Sequence, residues 1–201
     1  MKNSLKNRSK QDLYYRKKGF FEISDFLNKK KIFFFIWGGT LLGFKREKNF
    51  IKWDWDVEIG LYEKTILTNW NLIIGFLIKE KFKIIYKNKE QLKIEATKYR
   101  SKKITKFTIA GWKFDYFTQN YIRKKLSIPK FFFDKMTKIM FSKKWFFCPG
   151  PIEDFLDFYY GNWKKPLKTS DKNEYLTNAF LKNNLWNFYI KLDKIKSMFT
   201  F

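Results

Sequence analysis

The run Trp53-Asp54-Trp55-Asp56-Val57-Glu58-Ile59 alternates strictly between apolar and acidic residues, and no other stretch narrows the fold of this chain so far. Successive side chains of an extended strand point to opposite faces, so residues two apart share one face. The alternation therefore predicts a strand with Asp54, Asp56 and Glu58 on one face and Trp53, Trp55, Val57 and Ile59 turned toward a core. Two carboxylates about 7 Å apart along a strand repel unless a cation lies between them. Mg²⁺ accepts such hard oxygen ligands. An edge strand whose acids pair with lysines accounts for the same spacing, so the alternation alone leaves both readings open.

The flanking sequence sets this strand in a fold. Upstream, the aromatic and β-branched "KIFFFIW" (31–37) reads as a buried strand. Gly38-Gly39 ends it, and Thr40 can cap a short helix over "LLGFKR". A glycine turn between strand and helix lets backbone N–H groups approach a phosphate, although a plain tight turn needs glycines too. Apolar residues at helical spacing predict a helix from Gln11 to Lys30 and a long one over 62–81. "FKIIY", "QLKIEAT", "ITKFTIA" and "GWKFDYF" read as strands. Further helices are expected over 129–144, over "IEDFLDFYY" closed by Gly161, and from Asn173 to Met198. The pattern is α/β (α+β): a mixed β-sheet flanked by helices, with a helical C-terminal part. The expected organisation is a loose segment over 1–10, one folded domain over 11–170, and a helical extension over 171–201 packed on it.

Composition narrows the chemistry. The chain has no histidine and a single cysteine, Cys148. Ser–His and Cys–His pairs, imidazole ligands, an intramolecular disulfide and a cysteine-based zinc site are thereby excluded, which leaves carboxylates as ligands and bases. Asp115 is a single acid in the aromatic strand "GWKFDYF", where burying it unpaired would be costly. Lys113, on the same face at i−2, could pair with it. A third metal ligand, or a base for an acceptor hydroxyl, explains it as well. The formal charge is +24, yet only five of the 43 basic residues are arginines, whereas specific base readers favour the bidentate Arg fork. Compositional drift in a Lys-, Asn-, Ile-, Phe- and Tyr-rich chain is the stronger reading, and a basic surface also favours anionic membranes and polyanionic substrates. The N-terminus lacks an apolar signal region, and "NLIIGFLI" falls far short of the roughly 20 residues a span needs. The expected location is the cytoplasm, at or near a membrane surface.

Three blocks carry a resemblance to a known family. "FIWGGTLLGFKREKNFIKWDWDVEI" resembles the signature of the LicD/fukutin-type phosphotransferases: an aromatic strand, G-T-L-L-G, an Arg, then F-I-x-W-D-x-D-[VI]-[DE]. "KFDYF" is similar to the family's later strand, and "CPGPIEDFLDFYYGNWKKP" to its C-terminal pattern L-x-x-x-Y-G-x-x-W-x-x-P. The blocks keep the family's order and span roughly residues 20–166. The resemblance implies a nucleotidyltransferase-like fold and Mg²⁺- (or Mn²⁺-) dependent chemistry. A phosphorylated alcohol would pass from a CDP-activated donor, such as CDP-choline or CDP-ribitol, to a hydroxyl of a glycan or glycolipid, with release of CMP.

Carried over by position, Asp54 and Asp56 would hold the metal at the donor diphosphate, with Glu58 a further candidate ligand. Asp115 would complete the metal site or orient the acceptor. Gly38, Gly39 and Thr40 would line a phosphate cradle, and Arg46 would contact donor phosphates. Three departures stand out: Glu58 replaces the commoner Asp, Trp55 sits where bacterial members often carry another Asp, and Lys52 replaces the usual Pro and adds charge near the diphosphate. No cysteine cluster is present, so no zinc is expected, and nucleic acid is not an expected partner. Two other readings use parts of the same pattern. One is nucleotidyl transfer from an NTP with release of pyrophosphate. The other is a non-enzymatic protein that binds single-stranded nucleic acid by stacking and charge, which leaves the ordered acids unexplained.

Overall fold

The computed structural model describes residues 6–169 and 171–179. Helix α1 (Lys10–Lys29) opens on a reciprocal cap, in which the Ser9 hydroxyl accepts the Asp12 amide and the Asp12 carboxylate accepts the Ser9 amide. Strand β1 (Phe35–Ile36) leads into α2 (Gly38–Leu42) and a π-helical turn (Gly43–Glu47). After β2 (Asp56–Tyr62) come α3 (Glu63–Thr68), α4 (Trp70–Lys79), β3 (Lys83–Asn88), β4 (Lys93–Arg100) and β5 (Lys103–Asp115). The chain continues through β6 (Asn120–Arg123), β7 (Leu126–Pro129), α5 (Lys130–Asp134), β8 (Thr137–Phe141) and β9 (Lys144–Cys148). It closes with α6 (Ile152–Tyr160) and α7 (Lys172–Tyr175).

One seven-stranded mixed sheet organises the molecule, with central order β1-β2-β5-β4-β3. Only β2 and β5 run parallel; β6 and β7 continue the sheet from the far end of β5, and β8–β9 form a separate hairpin. The fold is α+β, as expected. Phe20 on α1 is fully buried and meets Phe44, Phe50, Phe141 and Phe146 at ring-centroid distances of 5.0–6.4 Å. Helix, π-turn and hairpin are thereby packed into one aromatic cluster. Among the described residues no helix is long and apolar enough to cross a membrane.

Several local expectations are corrected. The helix expected over 62–81 is two, broken at Asn69, whose side chain and amide both donate to the Thr65 carbonyl (2.9 and 3.2 Å). The strands read over "ITKFTIA" and "GWKFDYF" join in one, β5, which passes through Gly111, where a Cβ would come within 2.8 Å of Leu92 and Ile66. The helix expected over 129–144 is the short α5 followed by the β8–β9 hairpin. Its two-residue turn puts Ser142 and Lys143 at φ 49 and 66, positions where hairpins usually show Asn-Gly. The "KIFFFIW" strand shrinks to two paired residues. Thr40 lies within α2 instead of capping it. Beyond α7, the expected C-terminal helix lies outside the described residues from 180 onward.

Truncating the residue at the centre of the aromatic cluster tests this packing. Phe20→Ala is expected to lower the unfolding free energy by about 3–5 kcal/mol, read from urea denaturation, with the native far-UV spectrum retained in the absence of urea.

A carboxylate cluster on the central sheet

Sheet register builds the floor of the main cavity. Glu58 on β2 pairs with Thr108 on β5, and Thr108 pairs with Glu95 on β4, so the three side chains share a row on one face. Asp56, one step along β2, accepts the Thr108 hydroxyl at 2.6 Å. Asp54 precedes the strand. Its amide closes a turn onto the Ile51 carbonyl, its side chain accepts the Trp55 amide (2.7 Å), and its carbonyl accepts Arg16 Nη2 (2.5 Å). The acids therefore converge as the alternation predicts, although Asp54 arrives from a turn and not from the strand. Trp55 departs from the expectation: it is 52% exposed on the cavity rim, with the Arg8 guanidinium 4.2 Å from its ring centre. Val57 and Ile59 face the core as predicted.

The glycine turn serves the acids directly. The Gly39 amide donates to Glu58 Oε2 (2.7 Å), and the Glu58 amide donates to Thr40 Oγ1 (2.8 Å). A Cβ on Gly39 would stand 2.2 Å from Asp54 Oδ2, and one on Gly38, whose φ is +57, would stand 2.1 Å from Glu58 Oε2. Glycine is required here because carboxylate oxygens fill the space of the missing side chains. The amide expected to meet a phosphate is, in this structure, the partner of Glu58.

The other expected residues divide sharply. Arg46 lines the cavity, but its guanidinium is occupied by the Trp163 carbonyl and by Glu47, both at 2.9 Å. Lys52 is exposed and does not line the cavity; among the described residues only its carbonyl is engaged, by the Arg8 amide. Asp115 ends β5, nine residues beyond Lys106, the partner of Asp56, which at about 3.3 Å per residue places it roughly 30 Å along the sheet. There it accepts the Thr118 amide and hydroxyl (3.0 and 2.7 Å). The structure does not bring it to the cluster. An Asp that opens a turn and one that enters a site look alike in a lone sequence.

Sequence reasoning missed two cations. Arg16, on α1, is buried and lies behind Asp54. Arg123, on β6, lines the cavity with its guanidinium 4.9 Å from the Trp37 ring centre. Neither sits in a motif; each is brought in by tertiary packing. The cavity, about 790 Å³, has Tyr159, Tyr160, Trp163 and Tyr175 among the aromatic residues of its lining.

The electrostatics follow from crowding. Burial and the neighbouring Asp56 push the Asp54 carboxyl up to about 6, against the restraint of Arg16 and of backbone amides. Burial, Asp56 and Asp54 push Glu58 up to about 8. Among the described residues no three acids are disposed to enclose an ion by themselves. Mg²⁺ characteristically takes one or two carboxylates and fills the rest of its octahedron with water and substrate phosphate. Asp54 and Asp56, crowded and facing an open cavity, fit that pattern, and a divalent ion there would relieve their repulsion.

This predicts a pH-dependent stability of known sign. Folded-state values above the ordinary 3.8 and 4.5 mean that the native state holds its protons more tightly. The contribution is therefore complete below about pH 4 and is lost as pH rises through about 6 and about 8. In EDTA the melting temperature is expected to fall between pH 5 and pH 8, and Mg²⁺ should raise it more at pH 8 than at pH 5. Glu58→Gln should remove the upper part of the fall and keep the Mg²⁺ response.

A family model, the LicD/FKTN/FKRP nucleotidyltransferase domain, matches residues 31–151, more than half of the chain. A comparison with curated proteins returns no match.

Proposed function

The chain belongs to the LicD/FKTN/FKRP nucleotidyltransferase-domain family, which points to a phosphotransferase-type role in glycan modification, and on that premise we propose that it transfers a phosphorylated alcohol from a CDP-activated donor to a hydroxyl of a glycan or glycolipid. The observation that carries the reading is the convergence of Asp54, Asp56 and Glu58 beneath a cavity with aromatic walls. Such transfer depends on positioning and charge neutralisation more than on covalent assistance. It needs no histidine, and this chain has none.

In the proposed reaction an acceptor oxygen attacks the donor's β-phosphorus in line. The new P–O bond forms as the bond to CMP breaks, giving a phosphodiester and CMP. Asp54 and Asp56 would hold a divalent ion, Mg²⁺ or Mn²⁺, which would offset charge on the diphosphate and the leaving CMP. The proton of the attacking hydroxyl passes to a carboxylate of the same cluster. Glu58, beside Asp54 and Asp56 and held by the Gly39 amide, is the carboxylate assigned to that transfer. Trp55 and Trp163 supply flat apolar surface for base or sugar. A lysine-rich exterior favours peripheral contact with the anionic membrane that would present a glycolipid acceptor.

Incubation with CDP-choline, CDP-ribitol and CDP-glycerol, and separately with NTPs, tests the reading by its product. CMP release that depends on a CDP-alcohol and Mg²⁺ supports it; pyrophosphate release from an NTP assigns nucleotidyl transfer instead. Asp54→Asn and Asp56→Asn should each reduce transfer by roughly 10²–10³-fold or more and abolish Mg²⁺-dependent thermal stabilisation while the protein stays folded. Near-normal turnover in either variant would remove the metal assignment. Glu58→Gln should lose transfer but keep the Mg²⁺ stabilisation.

A further inference from the structure

The chain's five arginines sit in different surroundings. The Arg8 guanidinium lies 4.2 Å from the Trp55 ring centre. Arg16 donates to the Asp54 carbonyl, Arg46 to Glu47 and the Trp163 carbonyl, and Arg100 to Glu22. The Arg8 and Arg123 side chains make no hydrogen bond or ion pair to any described residue, and of these two Arg123 lines the cavity, with its Nε buried without a partner. The two lysines of the cavity floor are occupied as well, since Lys93 and Lys106 both hold Glu95, at 2.6 and 2.8 Å.

A guanidinium taken out of bulk water is costly unless an acceptor completes it. The neighbouring carboxylate does not do so: Glu58 Oε2 accepts the Gly39 amide and is not within ion-pair distance of Arg123. The Arg123 guanidinium lies 4.9 Å from the Trp37 ring centre, a contact that restrains it, and the residue lines the cavity. A planar fork held this way is shaped for two oxygens of one oxyanion. The same cavity offers carboxylates suited to a divalent ion, and a phosphoryl group is an oxyanion that answers to both.

We propose that Arg123 is the anion-binding residue of the cavity, its fork taking two oxygens of a substrate phosphoryl group. The inference rests on reading the cavity as a phosphoryl-transfer site. It moves the main cationic contact from Arg46 and Lys52 to strand β6. The phosphoryl group has two possible sources, the donor's diphosphate or a phosphate already on the acceptor.

Calorimetric titration with Mg²⁺ present separates these sources, with pyrophosphate as the donor probe and glycerol 1-phosphate as the acceptor probe. Arg123→Gln is expected to weaken one or both by about tenfold or more, and the probe affected identifies the source. Lys138→Gln, on the exposed face of β8, should leave both affinities unchanged. Arg123→Lys keeps the charge beside Glu58 and Trp37 but loses the fork, and should weaken binding several-fold; it serves as the test if the Gln variant fails to fold. Wild-type affinity for both probes in Arg123→Lys or Arg123→Gln overturns the inference, as does a wild-type protein that binds neither. Probe binding that depends on Arg123 without CMP release from any CDP-alcohol would leave this assignment standing and remove the proposed reaction.

Discussion

Glu58 accepts the Gly39 amide with its side chain and donates its own amide to Thr40, and the placement of the whole site depends on this two-way tie. It joins β2 to the first turn of α2, where helical amides have no partner of their own. It also crowds three carboxylates into a space that only glycine backbone can border. Crowded acids favour either protons or a cation, so the apparent liability of the cluster is also its capacity to bind. A substitution that relaxed the crowding would stabilise the apo-protein and weaken the site together, the ordinary opposition between stability and function.

The site is assembled from three parts of the chain. The strand and glycine turn bring the acids. Helix α1 brings Arg16 behind Asp54, and the segment from α6 onward brings aromatic lining. Long-range polar contacts bind the last part to the first: Arg46 to the Trp163 carbonyl, and Lys45 to Glu153 at 2.7 Å. The exposed ion pair adds little stability. The arginine contact is more consequential, because it joins the π-turn to the chain that lines the cavity.

What the sequence made legible is what depends on short range. The alternation located β2 and the convergence of Asp56 and Glu58, and the caps and apolar spacing located α1 and α6 to within a residue or so. The β8–β9 hairpin was hidden because Ser and Lys occupy left-handed turn positions that Asn and Gly usually mark. Asp115 lies in a strand as its sequence suggests, but its distance from the cluster was not legible, because "ITKFTIA" and "GWKFDYF" read as two strands where β5 is one of 13 residues. Arg16 and Arg123 were invisible for a related reason: burial beside the cluster is a property of the folded chain. Trp55 looked like core because alternation continues past the strand's true start, into a turn where its ring faces outward.

The division of the site among α1, the family-matched segment and α6 bears on how the protein can be dissected. Residues 31–151 contain every acid of the cluster and Arg123, but neither Arg16 nor the Tyr159–Trp163 part of the lining. A fragment cut at those borders would keep the acids and the exposed sheet face while losing the cation behind Asp54 and that aromatic lining. Water would then reach the carboxylates freely, their repulsion would be screened, and the low-dielectric surroundings that strengthen a metal or phosphate contact would be gone. Such a piece would retain the family's recognisable sequence and lose the environment that gives it chemical meaning.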